Sequence, residues 1–294
     1  MDEREWLAQR FQEHRPRLRA LAYRMLGSTS EADDALQEAW IRLSRSKDGE
    51  IDNLQAWLLS VVGRVALNML RSRKSRREEP LEAHLPDPIV DRAEGIDPEH
   101  EALLADSLGL ALLVVLETLT PAERLAYVLH DMFSVPFEEI GAILERSPEA
   151  ARQLASRGRR RIRGANTTPD ADAVAQQAVV EAFLAAARDG DFDALLAVLD
   201  PDIVERVDTG SGTIVEVRGA QNVARRAMAA SQRDGLVGRL ALINGAAGWV
   251  SVLDGELYAI AALTVHNGRI TTMDVLLDPA RLSRLDLTLF DSRE

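Results

Sequence analysis

The sequence contains no cysteine, which excludes disulfide scaffolds and thiolate metal sites together. Aromatic residues make up only 4% of the chain, so its cores must be built from Leu, Val and Ala. Long apolar runs are missing too. The most apolar segment, LGLALLVVL at 108–116, has about half the length a membrane span needs. The N-terminus, MDEREWLAQRF, is charged and lacks the apolar stretch of a secretory signal. These absences predict a soluble, cytoplasmic protein that has no membrane partner, no metal site and no cofactor.

What is present is enough for two or three domains: 294 residues, of which 46% are hydrophobic. The net charge of -12 is unevenly placed. Residues 1–165 carry 24 basic and 28 acidic side chains, and residues 166–294 carry 11 and 19. Two windows are strongly basic, RSRKSRR at 71–77 and RGRRRIR at 157–163, and between them residues 78–106 hold ten acids and one arginine. Such patches can bind phosphate despite the acidic total, because screening limits each charge to a reach of about 10 Å.

Residues 4–78 read as helices. Ser30 is the expected cap of EADDALQEAWIRLSR, with Asp33 at the third helical position. The segment 53–71 is apolar at 54, 57, 58, 61, 62, 65, 66 and 69, a helical stripe. Four of the 11 prolines then fall at 80, 86, 88 and 98 among many acids, the pattern of a linker. Helix resumes over 101–163. Thr120-Pro121-Ala122-Glu123 is a capping box, Ser147-Pro148 is a second helix start, and FEEIGAILER followed at once by SPEAARQLASRGRRRIRG has helix-turn-helix spacing. After GANTTPDAD come two short helical runs. Strands rich in Val, Ile and Thr follow from 203, with HNGR at 266–269 as a hairpin turn. That order predicts an α+β domain.

At 100° per residue, the helix beginning at Ser147 buries Ala151, Ala155, Gly158 and Ile162, flanked by Leu154. Arg152, Gln153, Ser156, Arg157, Arg160 and Arg163 cover the other face, offering guanidinium forks and an amide to phosphates and base edges. A solvated basic helix end would account for the last turn but not for Arg152 and Gln153. Arg64, Asn68 and Arg71 form a second stripe upstream, which suggests one DNA read at two places. Asp33, Asp34, Gln37 and Glu38, with Trp40 nearby, offer an acidic docking face for a basic partner helix, or simply a solubilising surface.

RPRLRALAYRMLGSTSEADDALQEAWIRLSR resembles region 2 of bacterial sigma factors of the extracytoplasmic-function group. LTPAERLAYVLHDMFSVPFEEIGAILERSPEAARQLASRGRRRIRG resembles their region 4. HDMFSVPFEEI and SPEAARQLASRGRRR are similar to the subset fused to a C-terminal SnoaL-like domain. The resemblance implies a multidomain fold: two all-α helical domains, the second a helix-turn-helix, then an α+β SnoaL-like cone with a curved antiparallel sheet. The implied boundaries are 1–78 for region 2, 79–106 for an acidic linker, 107–165 for region 4, 172–277 for the SnoaL-like domain and 278–294 for a tail.

The same resemblance implies an alternative sigma factor whose partners are core RNA polymerase and promoter DNA. Asp33, Asp34, Gln37, Glu38 and Trp40 would meet the β′ clamp helices, with further contact to the β subunit. Arg64, Asn68 and Arg71 would read and help melt the −10 element. Arg152, Gln153, Ser156, Arg157 and Arg160 would read the −35 element. HLPDP at 84–88, DTGSGT at 208–213 and DPARL at 278–282 are partial matches to motifs of the fused group. The C-terminal domain would then regulate the factor, with the linker as hinge. Two other readings remain at this stage: a stand-alone helix-turn-helix regulator with a ligand-sensing domain, and a SnoaL-like cyclase or isomerase with an appended regulatory region. His266, Asp254 and Asp274 are the nearest candidate proton carriers, but His266 and Asp254 fall at turns, so no catalytic residue is expected. Tyr258, Trp249 and Phe183 are candidate core residues or the walls of a small-ligand site.

Overall fold

The computed structural model describes residues 3–46, 51, 53–75, 84–93, 95, 109–164, 170 and 172–285. It divides into two compact units. The first comprises Met1–Pro80, Glu101–Asp106 and Val115–Ala165, and the second Leu81–His100, Ser107–Val114 and Asn166–Glu294.

In the first unit, α1 (Glu3–Leu26), α2 (Thr29–Leu43) and α3 (Leu54–Ser75) pack on one another around Leu21, Met25, Leu36, Leu43, Leu58 and Val62. The cap of α2 is Ser28 rather than the expected Ser30: its Oγ accepts the Glu31 N–H at 3.5 Å. Gly27, at φ 71, ends α1, so Ser28 is the extended residue that precedes the new helix. Glu31 is held by Arg73 of α3, which ties the ends of two helices together.

After α4 (Gly109–Glu117), whose residues through Val114 count with the second unit, the capping box at α5 (Pro121–Tyr127) is complete. Thr120 Oγ1 accepts the Glu123 N–H at 3.3 Å, and Glu123 Oε2 accepts the Thr120 N–H at 3.1 Å. A π-helical turn (Val128–Met132) leads into α6 (Phe137–Leu144) and α7 (Pro148–Arg163). The two sets of helices meet inside this unit. The Arg124 Nε donates to the Arg24 carbonyl at 3.0 Å, and Leu125 and Leu129 close on Gly63 of α3. Burial drives the Arg124 guanidinium down to about 10, with Glu117 opposing the shift. Phe133 lies under the guanidiniums of Arg17 and Arg24, and its carbonyl accepts from Arg17.

The second unit carries α8 (Ala173–Asp189), α9 (Phe192–Val198), α10 (Ala220–Ser231) and a seven-stranded sheet in the order β1-β4-β5-β6-β7-β2-β3. Its strands are β1 (Val90–Arg92), β2 (Leu199–Asp208), β3 (Ile214–Arg218), β4 (Leu236–Ile243), β5 (Ala246–Leu253), β6 (Glu256–His266) and β7 (Arg269–Leu276). Every pairing is antiparallel except β2 with β7, and the sheet is open and curved. Asn244-Gly245, Asp254-Gly255 and Asn267-Gly268 make three tight hairpins, all six residues at positive φ. The core is aliphatic around one stacked pair, Phe183 and Trp249, 5.3 Å apart. No capping signal marks α10 in the sequence, because it starts from Gly219 with no side-chain cap.

Residues 84–93 belong to this second unit, although the sequence there reads as linker. β1 adds antiparallel to the edge of β4, and Asn244 exchanges two hydrogen bonds with the Ile89 backbone. Asp208 is fully buried. Its carboxylate accepts from Leu85 N (2.9 Å), Gly210 N (3.0 Å) and Arg281 Nη1 (2.7 Å), and Arg281 Nη2 reaches Asp87 at 2.8 Å. The three partial motifs at 84–88, 208–213 and 278–282 are thus one cluster. The short helix α11 (Pro279–Leu282) buries Leu282. The apolar tail residues at 287, 289 and 290 lie outside the described residues, as do positions 76–83 and 96–108.

Gly141 faces the turn between α6 and α7, where a Cβ would come within 2.8 Å of the Arg146 carbonyl oxygen. Gly141→Ala is expected to cost about 1–3 kcal/mol through overpacking, read as a lowered unfolding midpoint. Asp208→Ala leaves two N–H groups without their acceptor and takes from the Arg281 cation one of its two carboxylates. It should cost about 3–5 kcal/mol and speed hydrogen exchange at Leu85, which an unchanged exchange rate would contradict.

Candidate nucleic-acid interface

The most basic exposed helix face lies on α7. Ser147 Oγ accepts the Ala150 N–H at 3.3 Å, and Pro148 opens the helix. The preceding turn closes in three residues because Glu145 adopts the left-handed conformation at φ 57. Ala151, Leu154, Ala155, Gly158 and Ile162 are buried. Small side chains bring α7 close to α5: a Cβ on Gly158 would lie 3.2 Å from the Tyr127 Cβ. Arg152, Gln153, Ser156, Arg157, Arg160 and Arg163 are exposed, as the helical wheel requires.

The six arginines of α7 are not equivalent. Arg159 is tied to Asp131 (Nε–Oδ1 2.7 Å) and Arg161 to the buried Glu123 (3.1 Å). These two brace the helix against its own unit. Arg152 lies over the Phe137 ring at 5.1 Å. Arg157 and Arg160 have no hydrogen-bond or ionic partner among the described residues.

On α3, Arg64, Asn68 and Arg71 are all exposed along one stripe. Asn68 lines a groove of about 290 Å³ with Glu31, Glu38, Arg42, Val65 and Arg73. The acidic helix divides its residues between two faces. Asp33, Gln37 and Trp40 line a second groove of about 460 Å³ with Phe11, Arg15 and Leu36, where Trp40 tilts against Phe11 at 5.3 Å. Asp33 is held by Arg19 through two hydrogen bonds of 3.0 and 3.2 Å, whereas Asp34 and Gln37 are exposed. Glu38 faces the Asn68 groove and pairs with Arg42 at 2.9 Å. The five residues therefore do not share one patch.

The candidate proton carriers of the second unit do not converge. Asp254 and His266 sit at two hairpin turns, His266 beside Asp170. Asp274 is buried on β7 and bonded to Arg206 at 2.9 Å. Burial raises its carboxyl, and Arg206 partly offsets that rise. Phe183 and Trp249 fill the core, and Tyr258 is taken up by Arg233. Among the described residues no helix is long and apolar enough to cross a membrane.

Two sets of helices, the second ending in a helix-turn-helix with a basic outer face, joined in sequence to an α+β unit, define a multidomain DNA-binding protein. The family model for sigma-70 region 2 matches residues 10–76, and that for sigma-70 region 4 matches residues 109–162. The ECF RNA polymerase sigma factor SigJ of Mycobacterium tuberculosis is 36% identical over 289 residues, covering 93% of this chain and 92% of that protein. A second protein of that organism, described as "Probable ECF RNA polymerase sigma factor SigI", is 34% identical over 92% of this chain and 93% of its own length. The crystal structure of SigJ aligns at a TM-score of 0.77 and 32% identity, covering 96% of this chain and all of that one. The chain belongs to the extracytoplasmic-function RNA polymerase sigma factors, proteins that direct polymerase to promoters. This membership accounts for the whole helical part, which a stand-alone regulator would not need.

Proposed function

We propose that this sigma factor reads its promoter at two places and is regulated through the segment that joins them. The observation that carries the reading is the outer face of α7, where Arg152, Gln153, Ser156, Arg157 and Arg160 are exposed while Arg159 and Arg161 are paired with Asp131 and Glu123. That face reads the −35 element in the major groove. Arg64, Asn68 and Arg71 read the −10 element. The groove holding Phe11, Gln37 and Trp40, with Asp34 on the same helix, receives the β′ clamp helices: its floor is apolar and its rim mixed in charge, as suits a coiled coil. Region 4 makes the contact to the β subunit.

The C-terminal unit acts through the cluster at Asp208. Because Leu85, Asp87 and Ile89 bond to Asp208, Arg281 and Asn244, the chain between regions 2 and 4 is held by the domain that follows them both. Its reach, and hence promoter access, is set by whether that contact stays closed. The scattered positions of Asp254, His266 and Asp274 support a regulatory domain rather than an enzyme.

Arg157→Ala and Arg160→Ala should each weaken promoter binding by about 1–3 kcal/mol where the arginine reads a base, or lower the salt slope by about 1 where it meets a phosphate. Binding titrations at several salt concentrations separate the two, and wild-type behaviour from both variants would reject the face. Asp34→Lys with Gln37→Lys should abolish co-purification with core polymerase while circular dichroism is unchanged. Truncation after Leu277 removes Arg281 and should alter transcription without altering core binding. Equal transcription from the truncated and full chains would rule out control through the cluster.

A further inference from the structure

The aromatic ring that carries Arg152 is itself fixed. Phe137 opens α6, and the His130 imidazole stacks on it with centroids 3.9 Å apart and planes at 29°. The His130 Nδ1–H donates to the Val135 carbonyl at 3.1 Å, so the imidazole is anchored to backbone. Arg152 then places its guanidinium carbon 5.1 Å from the Phe137 centroid. Its contact is thus a π face, which uses none of the five N–H donors. None of those donors has a hydrogen-bond partner among the described residues.

This differs from the other ways α7 holds an arginine. A carboxylate partner, as at Arg159 and Arg161, consumes the fork. An exposed arginine without a partner must give up about 2 kcal/mol of rotamer freedom when it is ordered. A ring restrains the plane and leaves the edge free, and the edge is what matches the O6 and N7 acceptors of a guanine.

We propose that Phe137 is the positioning residue for base reading by Arg152. Held by His130, its ring presents the guanidinium as a preset fork for a guanine in the upstream promoter element, so selectivity at one base pair is set through a residue of the first helix of the motif. The proposal rests on α7 being the recognition helix.

The test uses the full chain assembled with core polymerase, transcribing from a promoter library randomised across the upstream element. Wild type should prefer guanine at one position where Arg152→Ala shows no preference. Phe137→Leu keeps apolar bulk and removes the ring. It should weaken that one preference about two- to five-fold, leaving other positions and the salt dependence as in wild type. Phe137→Tyr should restore it, and Phe137→Leu should add nothing once Arg152 is Ala. Arg152→Lys, which keeps the charge without the fork, should lose the same preference at an unchanged salt slope.

If Phe137→Leu does not fold, His130→Ala removes the ring's support with Phe137 in place and should give the same selective loss. A wild-type preference in the Phe137 or His130 variant, with Arg152→Ala flat at that position, overturns the positioning role alone. An equal loss at every position overturns it too, and marks Phe137 as a packing residue. Unchanged preferences in Arg152→Ala would instead overturn the recognition face itself.

Discussion

A carboxylate at zero solvent exposure has to find donors, and the donors of Asp208 organise the second unit. One comes from the chain at Leu85, one from the loop at Gly210 and one from the tail at Arg281, residues brought together over nearly 200 positions of sequence. Arg281 extends the cluster to Asp87, so each charge in the buried group has an opposite neighbour. The sheet contributes the same closure from the other side: β1 covers Ile243, Leu242 and Ala241 of β4, an edge that would otherwise present unpaired backbone. Polar bonds and apolar burial hold this segment together: Leu85, Ile89 and Val90 are buried beside the bonds to Asp208 and Asn244.

The first unit solves a similar problem with a cation. Arg124 is buried where the two sets of helices meet, satisfied at Nε by the Arg24 carbonyl, while its Nη2 finds no partner among the described residues. Burial therefore lowers its affinity for a proton, and the junction carries a desolvation cost that the surrounding Leu125, Leu129 and Gly63 contacts offset. Phe133, under two arginines, completes the junction without any ion pair of its own. The two sets of helices are joined here by the buried Arg124 and Arg24 and by an apolar seam.

The features legible in the sequence were those set by local geometry. The capping box at Thr120, the Ser147-Pro148 start, the buried and exposed faces of α7 and the HNGR hairpin each follow from residues within one or two turns of one another. Asn-Gly and Asp-Gly turns made the meander of β4 to β7 readable for the same reason. What was missed depends on partners far away. β1 is three residues long and exists because β4 offers an edge some 150 positions downstream, so its acidic, proline-rich setting reads as linker. Ser28 displaced Ser30 as the cap because Gly27 fixed where α1 stops. Glu38 left the acidic patch because Arg42, one turn on, turned it toward α3. The role of Phe137 was equally hidden, since nothing in its spacing announces that His130 and Arg152 will meet it.

The charge distribution bears on how an acidic protein can hold DNA at all. Salt screens exposed charges beyond about 8 Å under physiological conditions, so the acids of residues 166–294 act on DNA only where they lie close to it. What matters is the local balance on each basic face. On α7 the carboxylates Asp131 and Glu123 neutralise Arg159 and Arg161, leaving Arg152, Arg157, Arg160 and Arg163 to face outward; on α3 Arg64 and Arg71 do so. Each outward cation that meets a phosphate releases a counterion, so binding through either face depends on salt. On the reading proposed above, both faces on one DNA together with base contacts would bind more strongly than either alone, a condition that a promoter meets and bulk DNA does not.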